Sequence, residues 1–358
     1  RFIKNIFLIS MLVVAGCSDK PLNSPYGDSE DDKVFYSSFQ ERPKHLDPAR
    51  SYSSNEYAFI AQIYEPLFQY HYLKKPYELI PLTASEMPKL YYLDNEFNKT
   101  NNKSIAHYTK YILKIKKGIL YQNHPAFYKK NKKYAYHDLS ENQLANINTL
   151  KDFRQENTRE LTSDDYIYQI KRLADYKNHS PISGVMQDYI YGFNEYKKKI
   201  SKIKYDSHKE RINIIRKSDI SGVEKIDRYT FSITLKKQYP QFIYWLAMPF
   251  FSPMPWEADS FYSQPGLQKK NITLNWFPIG TGPFKLTENN PNLKMVLEAN
   301  KNFRGEVYPS QKDKIVNRKI IEHNNKKEVP FINKAIYSLE KEQIPRWNKF
   351  LQGYYDNS

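Results

Sequence analysis

Carboxylates, imidazoles and one thiol are the groups in this chain that could do chemistry. Asp47, Glu65, Asp164 and Asp165 are the carboxylates in recognisable settings. Acid–base catalysis needs two such groups whose surroundings push their pKa values apart. Asp47 instead precedes Pro48 in a turn, where Asp commonly bonds its own backbone. Asp164 and Asp165 read as charges in the first turn of a helix. His71, His107, His124 and His137 stand alone, without the His-Glu-x-x-His spacing that holds zinc. No Gly-x-Ser-x-Gly elbow occurs. Gly280-Thr281-Gly282-Pro283 is a sharp turn whose glycines permit positive backbone angles, and it lacks the further residues of a phosphate loop. These patterns predict no enzyme, no metal site and no cofactor, and a structural role for the turn.

The sole thiol, Cys17, has a more specific setting. Arg1 and Lys4 give a basic start, and a short apolar run from Ile6 to Ala15 follows. A membrane span needs ~20 apolar residues, so this run suits the core of a signal peptide over residues 1–16. Val14-Ala15-Gly16-Cys17 resembles a bacterial lipobox, in which the cysteine receives a diacylglyceryl group. A plain signal peptide with an incidental cysteine is the alternative. Residues 17–33, rich in Pro, Ser, Asp and Glu, then form the lipid anchor and a flexible tether. The expected location is the periplasm or cell envelope, with the membrane engaged through lipidated Cys17.

Composition narrows the partners. The 358 residues are 40% hydrophobic and 15% aromatic, with 31 Tyr, enough for two or three domains with real cores. The formal charge of +16 invites a nucleic-acid reading. The basic residues, however, fall in short separate clusters such as Lys116-Lys117, Lys132-Lys133, Lys197 to Lys199 and Lys269-Lys270. No zinc spacing, RNA-binding aromatic motif or long basic tail accompanies them, so no nucleic-acid partner is expected.

Periodicity places the elements. Val34-Phe35-Tyr36 opens a strand, and Pro43 and Pro48 hold the next segment as a loop. Ser53-Ser54-Asn55-Glu56 is a capping box before Ile60, Ile63, Tyr64 and Leu67 at helical spacing, with Pro66 as the stop. Residues 108–115 read as a strand. Thr162 starts a helix with Tyr166, Ile170, Leu173 and Ala174 on one face. Tyr229 to Leu235 alternates apolar residues with Thr230, Ser232 and Thr234, the clearest strand pattern in the chain. Trp347, Phe350, Leu351 and Tyr354 form a helical stripe. The start at Arg1 and the stop at Ser358 read as the ends of a fragment.

Four groups of segments, in order, resemble the family 5 extracellular solute-binding proteins, the oligopeptide- and dipeptide-binding group. They are Leu46-Asp47-Pro48-Ala49 with Ile63-Tyr64-Glu65-Pro66-Leu67; Tyr77 to Leu82 with Lys114 to Gly118; Thr162 to Leu173; and Pro278 to Phe284 with Val296 to Glu298 and Asn300 to Phe303. The segment 121–161 departs from the family in length and polarity. The resemblance implies an α/β periplasmic-binding-protein fold (type II) of the large three-domain kind, incomplete at the C-terminus. It implies a lobe from residues 34–54 and 223–339, a smaller inserted domain over 55–222, and the start of a third domain over 340–358. It further implies a non-catalytic component of an ABC importer that captures peptides between lobes and delivers them to permease subunits. Arg50, Tyr52, Ser53 and Ser54 fall where family members bring backbone to the ligand, and the turn at Gly280, Thr281, Gly282 and Pro283 falls near the inter-lobe region. Dipeptides, muropeptides, nickel chelates and sugars stay open as ligands. A lipid-anchored cell-wall hydrolase and a structural envelope lipoprotein are the competing readings.

Overall fold

Caps and prolines fix the element ends before packing decides where the elements go. In the computed structural model, Tyr26, residues 33–309 and residues 322–357 are described. The signal peptide, Cys17 and all of the tether except Tyr26 and Lys33 lie outside these residues. The principal strands are, in chain order, β1 (Val34–Phe39), β2 (Phe68–Tyr70), β3 (Leu79–Pro81), β4 (Lys89–Leu93), β5 (Lys99–Thr100), β6 (Tyr108–Lys114), β7 (Val223–Asp227), β8 (Thr230–Leu235), β9 (Phe284–Asn290), β10 (Lys294–Ala299) and β11 (Lys334–Leu339), beside four further two-residue strands among the described residues. The principal helices are α1 (Ser54–Ile63), α2 (Ser163–Ala174), α3 (Phe193–Lys202), α4 (His208–Lys217), α5 (Trp256–Tyr262) and α6 (Gln343–Leu351).

The chain divides into two compact units. Among the described residues, one comprises those up to Arg42, Thr287–Glu298 and those from Phe331; the other comprises those within Pro43–Leu286 and Ala299–Pro330. In the first, the sheet order is β1-β11-β10-β9. β1 runs parallel to β11, from Val34 opposite Lys334 to Phe39 opposite Leu339. A parallel pair needs a crossover, and here the whole second unit lies between the two strands in sequence. Helix α6 follows β11. Its expected stripe faces outward, with no residue of the helix buried and with Trp347 and Leu351 exposed.

In the larger unit the sheet order is β5-β4-β6-β8-β7, all antiparallel. It takes β4 to β6 from within residues 55–222 and β7 and β8 from within 223–339. The sheet therefore spans the expected boundary at 222/223. Strand β8 departs from its alternating pattern, because Ser232 and Thr234 are buried along with Phe231, Ile233 and Leu235. It lies between β6 and β7, and the Tyr191 N–H bonds the Thr234 carbonyl at 2.9 Å along its end. Alternation in a central strand reports polarity, not exposure.

Helix α1 starts on Ser53 as N-cap, with Glu56 as its capping-box partner, and ends at Ile63 ahead of Pro66. Helix α2 starts on Thr162 with Asp165 in the equivalent place, and nearly every residue of it is buried. Asp165 does more than charge the first turn. Arg159 forks onto it at 2.6 and 2.9 Å and onto Glu257 of α5 at 2.7 and 2.9 Å, with the last guanidinium N–H on the Glu160 carbonyl at 3.0 Å. All five guanidinium donors are thereby satisfied, and the two buried carboxylates are paired.

Two of the isolated histidines are core residues. His124 is 1% exposed. Its Nδ1 accepts the Ala126 N–H at 3.0 Å, so Nε2–H donates to the Tyr262 hydroxyl at 2.7 Å, and that hydroxyl donates to the Phe277 carbonyl at 2.6 Å. His137 Nε2–H donates to the Ala126 carbonyl at 2.8 Å. Burial pushes His124 down to about 3, with the neighbouring His137 adding to the effect, and burial pushes His137 down to about 4. Both values lie below the unfolded one of 6.5. The neutral rings therefore stabilise the fold fully above that pH, and the contribution is lost as pH falls toward the folded values. Together they predict a loss of about 1 kcal/mol in unfolding free energy between pH 7 and pH 6, steepening below. Urea titrations at stepped pH check this; stability that stays level from pH 7 to pH 5 contradicts it.

Candidate functional site

A loop carrying backbone to a ligand must itself be held, and Glu56 holds this one. Its carboxylate, 3% exposed, accepts from the backbone N–H of Lys44 at 3.0 Å, His45 at 2.7 Å, Tyr52 at 3.0 Å and Ser53 at 3.3 Å, and from the Ser51 hydroxyl at 3.0 Å. Burial alone would raise its pKa, but the N–H donors of Tyr52, His45 and Ser53 hold it below the usual glutamate value. The start of the same loop is tied to α2. Arg172 donates to both oxygens of Asp47, at 3.0 and 2.6 Å, and Asp47 also accepts the Ala49 N–H at 2.9 Å. Leu46-Asp47-Pro48 and the Arg-Leu end of α2, far apart in sequence, thus meet in one buried ion pair.

The other end of α1 is held by Gly280-Thr281-Gly282-Pro283. The Gly282 N–H donates to the Ile63 carbonyl at 2.8 Å, Gln122 N–H donates to the Gly280 carbonyl at 2.9 Å, and Asn300 Nδ2 donates to the Gly282 carbonyl at 2.9 Å. The expected reason for the glycines is corrected here. Neither Gly280 nor Gly282 is among the glycines with positive φ. They are required by close approach, since a Cβ on Gly280 would stand 1.9 Å from the Ile63 oxygen and one on Gly282 2.7 Å from it.

With its ends fixed, α1 presents Tyr57 and Ala61, and its C-cap Tyr64, to a groove of about 690 Å³. Pro66, Phe68, Gln69, Tyr70, Tyr72 and Leu82 line a second part of it, and Tyr244, Trp245, Ala247, Met248, Pro249 and Phe250 a third. No lining residue carries a charge. Tyr52 stands at the groove 74% exposed, its ring 6.0 Å from that of Phe250. The Tyr52 carbonyl accepts no hydrogen bond among the described residues.

The four residues expected to meet ligand do not share one cavity. Tyr52 lines the aromatic groove, while Arg50 lines a separate polar cavity. Ser53 caps α1 and Ser54 is its exposed first residue. Sequence reasoning missed Tyr57, Tyr244, Trp245 and Phe250. The aromatic density from Tyr239 to Phe251 was the available signal, but nothing local says that it faces α1. Among the described residues there is no cluster of three metal-ligating side chains, and no helix is long and apolar enough to cross a membrane.

The family of bacterial extracellular solute-binding proteins, family 5 Middle, matches residues 129–354, and this chain belongs to it. The periplasmic oligopeptide-binding protein OppA of Salmonella typhimurium is 29% identical over 147 residues, 40% of this chain and 23% of that protein. Among solved structures, DppA from Helicobacter pylori in complex with the peptide STSA is 17% identical with a TM-score of 0.53, over 90% of this chain and 45% of that one. Listeria monocytogenes OppA bound to peptide is 14% identical with a TM-score of 0.55, over 91% and 46%. The fold is thus the periplasmic-binding-protein fold of the family 5 kind. The chain spans about half the length of the structures it matches.

Proposed function

We propose that the whole protein is the peptide-capturing component of an ABC importer, anchored in the cell envelope through a lipid on Cys17 and delivering its ligand to permease subunits in the membrane. The observation that carries this reading is the uncharged, aromatic-walled groove beside the free Tyr52 carbonyl. An extended peptide needs acceptors for its backbone N–H groups, and a main-chain carbonyl supplies one without reading side chains. Aromatic walls then hold varied side chains by contact area and offset stacking. Tyr52 acts through the carbonyl of the loop that Glu56 positions and through its ring as well, while Ser53 and Ser54 serve by starting α1 beside it. Closure of two lobes about a hinge would signal the loaded state to the permease. The relatives named above are binding proteins, which agrees with capture without turnover.

The test uses the full-length mature protein. Tyr52→Ala and Tyr57→Ala are each expected to weaken binding of apolar tetrapeptides about tenfold, a typical cost for truncating a contacting aromatic. The bound peptide is expected to be recovered intact. Unchanged affinity in both variants sinks the groove as the binding site.

A further inference from the structure

A second cavity, of about 530 Å³, lies in the larger unit apart from the aromatic groove. Its wall is of opposite character. Four basic side chains line it, Arg50, Arg172, Lys177 and Arg211, against the two carboxylates of Asp47 and Asp259. Those carboxylates are already engaged, Asp47 at 2.6 Å and Asp259 at 3.4 Å from the Arg172 guanidinium. Arg211 is bonded to Asp175.

Two cations are left over. Neither the Arg50 guanidinium nor the Lys177 ammonium has a hydrogen bond or an ion pair among the described residues. Lys177 rests only over the Tyr205 ring, 4.6 Å from its centroid. His208, also on the wall, keeps a buried Nε2 with no hydrogen-bond partner, and such a group costs stability until something pairs with it. Gln268, Thr273 and Asn275 add uncharged hydrogen-bonding groups to the same wall. Paired charges hold this cavity open while unpaired donors face a space larger than one phosphate or carboxylate group needs.

We propose that this cavity is a second binding site, which takes a small solute bearing an oxyanion group. The Arg50 fork would engage two of its oxygens, Lys177 would act as a point charge, and the neutral side chains would orient the remainder. The aromatic groove lacks any charge, so the two sites sort solutes of different chemistry. The inference stands independently of peptide capture.

The test is isothermal titration of the full-length mature protein, without peptide, at fixed ionic strength. Inorganic pyrophosphate and citrate serve as probes, one for each source of the oxyanion. Saturable one-site binding of either is expected, and whichever binds identifies the group. Arg50→Ala/Lys177→Ala should weaken it at least tenfold, and both residues lack structural bonds, so the variant should fold. Lys198→Ala/Lys199→Ala removes equal charge from exposed positions on α3 and should leave the affinity within twofold. Absence of saturable binding for both probes overturns the proposal. Equal weakening in the two variants also overturns it, because the attraction is then the diffuse charge of the whole chain.

Discussion

Arg172→Ala is expected to lower the unfolding free energy by about 3–5 kcal/mol, the range for removing one partner of a buried charge pair. The side chain is 2% exposed and lies between Asp47 and Asp259. Truncation leaves the Asp47 carboxylate buried with the Ala49 N–H as its one remaining donor among the described residues. Burial alone would raise the Asp47 carboxyl, but the guanidinium holds it below its unfolded value of 3.8. Its stabilising contribution is therefore present above that pH and is lost as pH falls through the lower folded value. Denaturant titration of the full-length protein at pH 7 measures the effect. If the alanine variant does not accumulate, Asp47→Leu/Arg172→Met provides the second reading. Removing both charges should recover part of the loss, since an apolar pair of similar volume is often tolerated. A cost below about 1 kcal/mol for the single variant would contradict the reading of the pair as a buried link between the loop and α2.

Gly280→Ala should cost about 3 kcal/mol or more, at or above the upper end for overpacking, because the new methyl meets backbone and not a movable side chain. The Ile63 oxygen that it would strike also accepts the Gly282 N–H, so relief by movement breaks the bond that holds α1. Gly184→Ala is the matched control. It lies in the helix Ser183–Tyr189, and a Cβ there meets nothing within 4 Å. Helix propensity predicts a gain of roughly 0.5–1 kcal/mol for that variant. Equal costs at the two positions would remove the close-approach argument.

Local signals were read well wherever one segment contained its own explanation. The capping box at Ser53 and the helix start at Thr162 open α1 and α2, and the extended run at 108–115 is β6. Signals failed where the meaning of a residue is supplied by a distant partner. The Glu56 carboxylate was legible as a cap but not as the anchor of Lys44 to Ser53, because its acceptor capacity is shared over a loop whose path the sequence does not fix. Gly280 announced a turn, yet its real constraint is the carbonyl of Ile63, more than two hundred residues earlier in the chain. The alternation in β8 marked a strand but not its central place in the sheet, where Ser232 and Thr234 are buried with their apolar neighbours. The groove wall was half visible, since Tyr52 stands next to a recognisable loop while Trp245 and Phe250 belong to a segment with no local reason to face it.

Thermal unfolding of the full-length mature protein with and without a pool of unmodified tetrapeptides tests the central claim most directly. A ligand held at 100 times its dissociation constant should stabilise the protein by about 2.7 kcal/mol, with the peptides recovered unchanged. A transition that no peptide moves, or peptides returned as fragments, would contradict a protein built to hold peptides and release them whole.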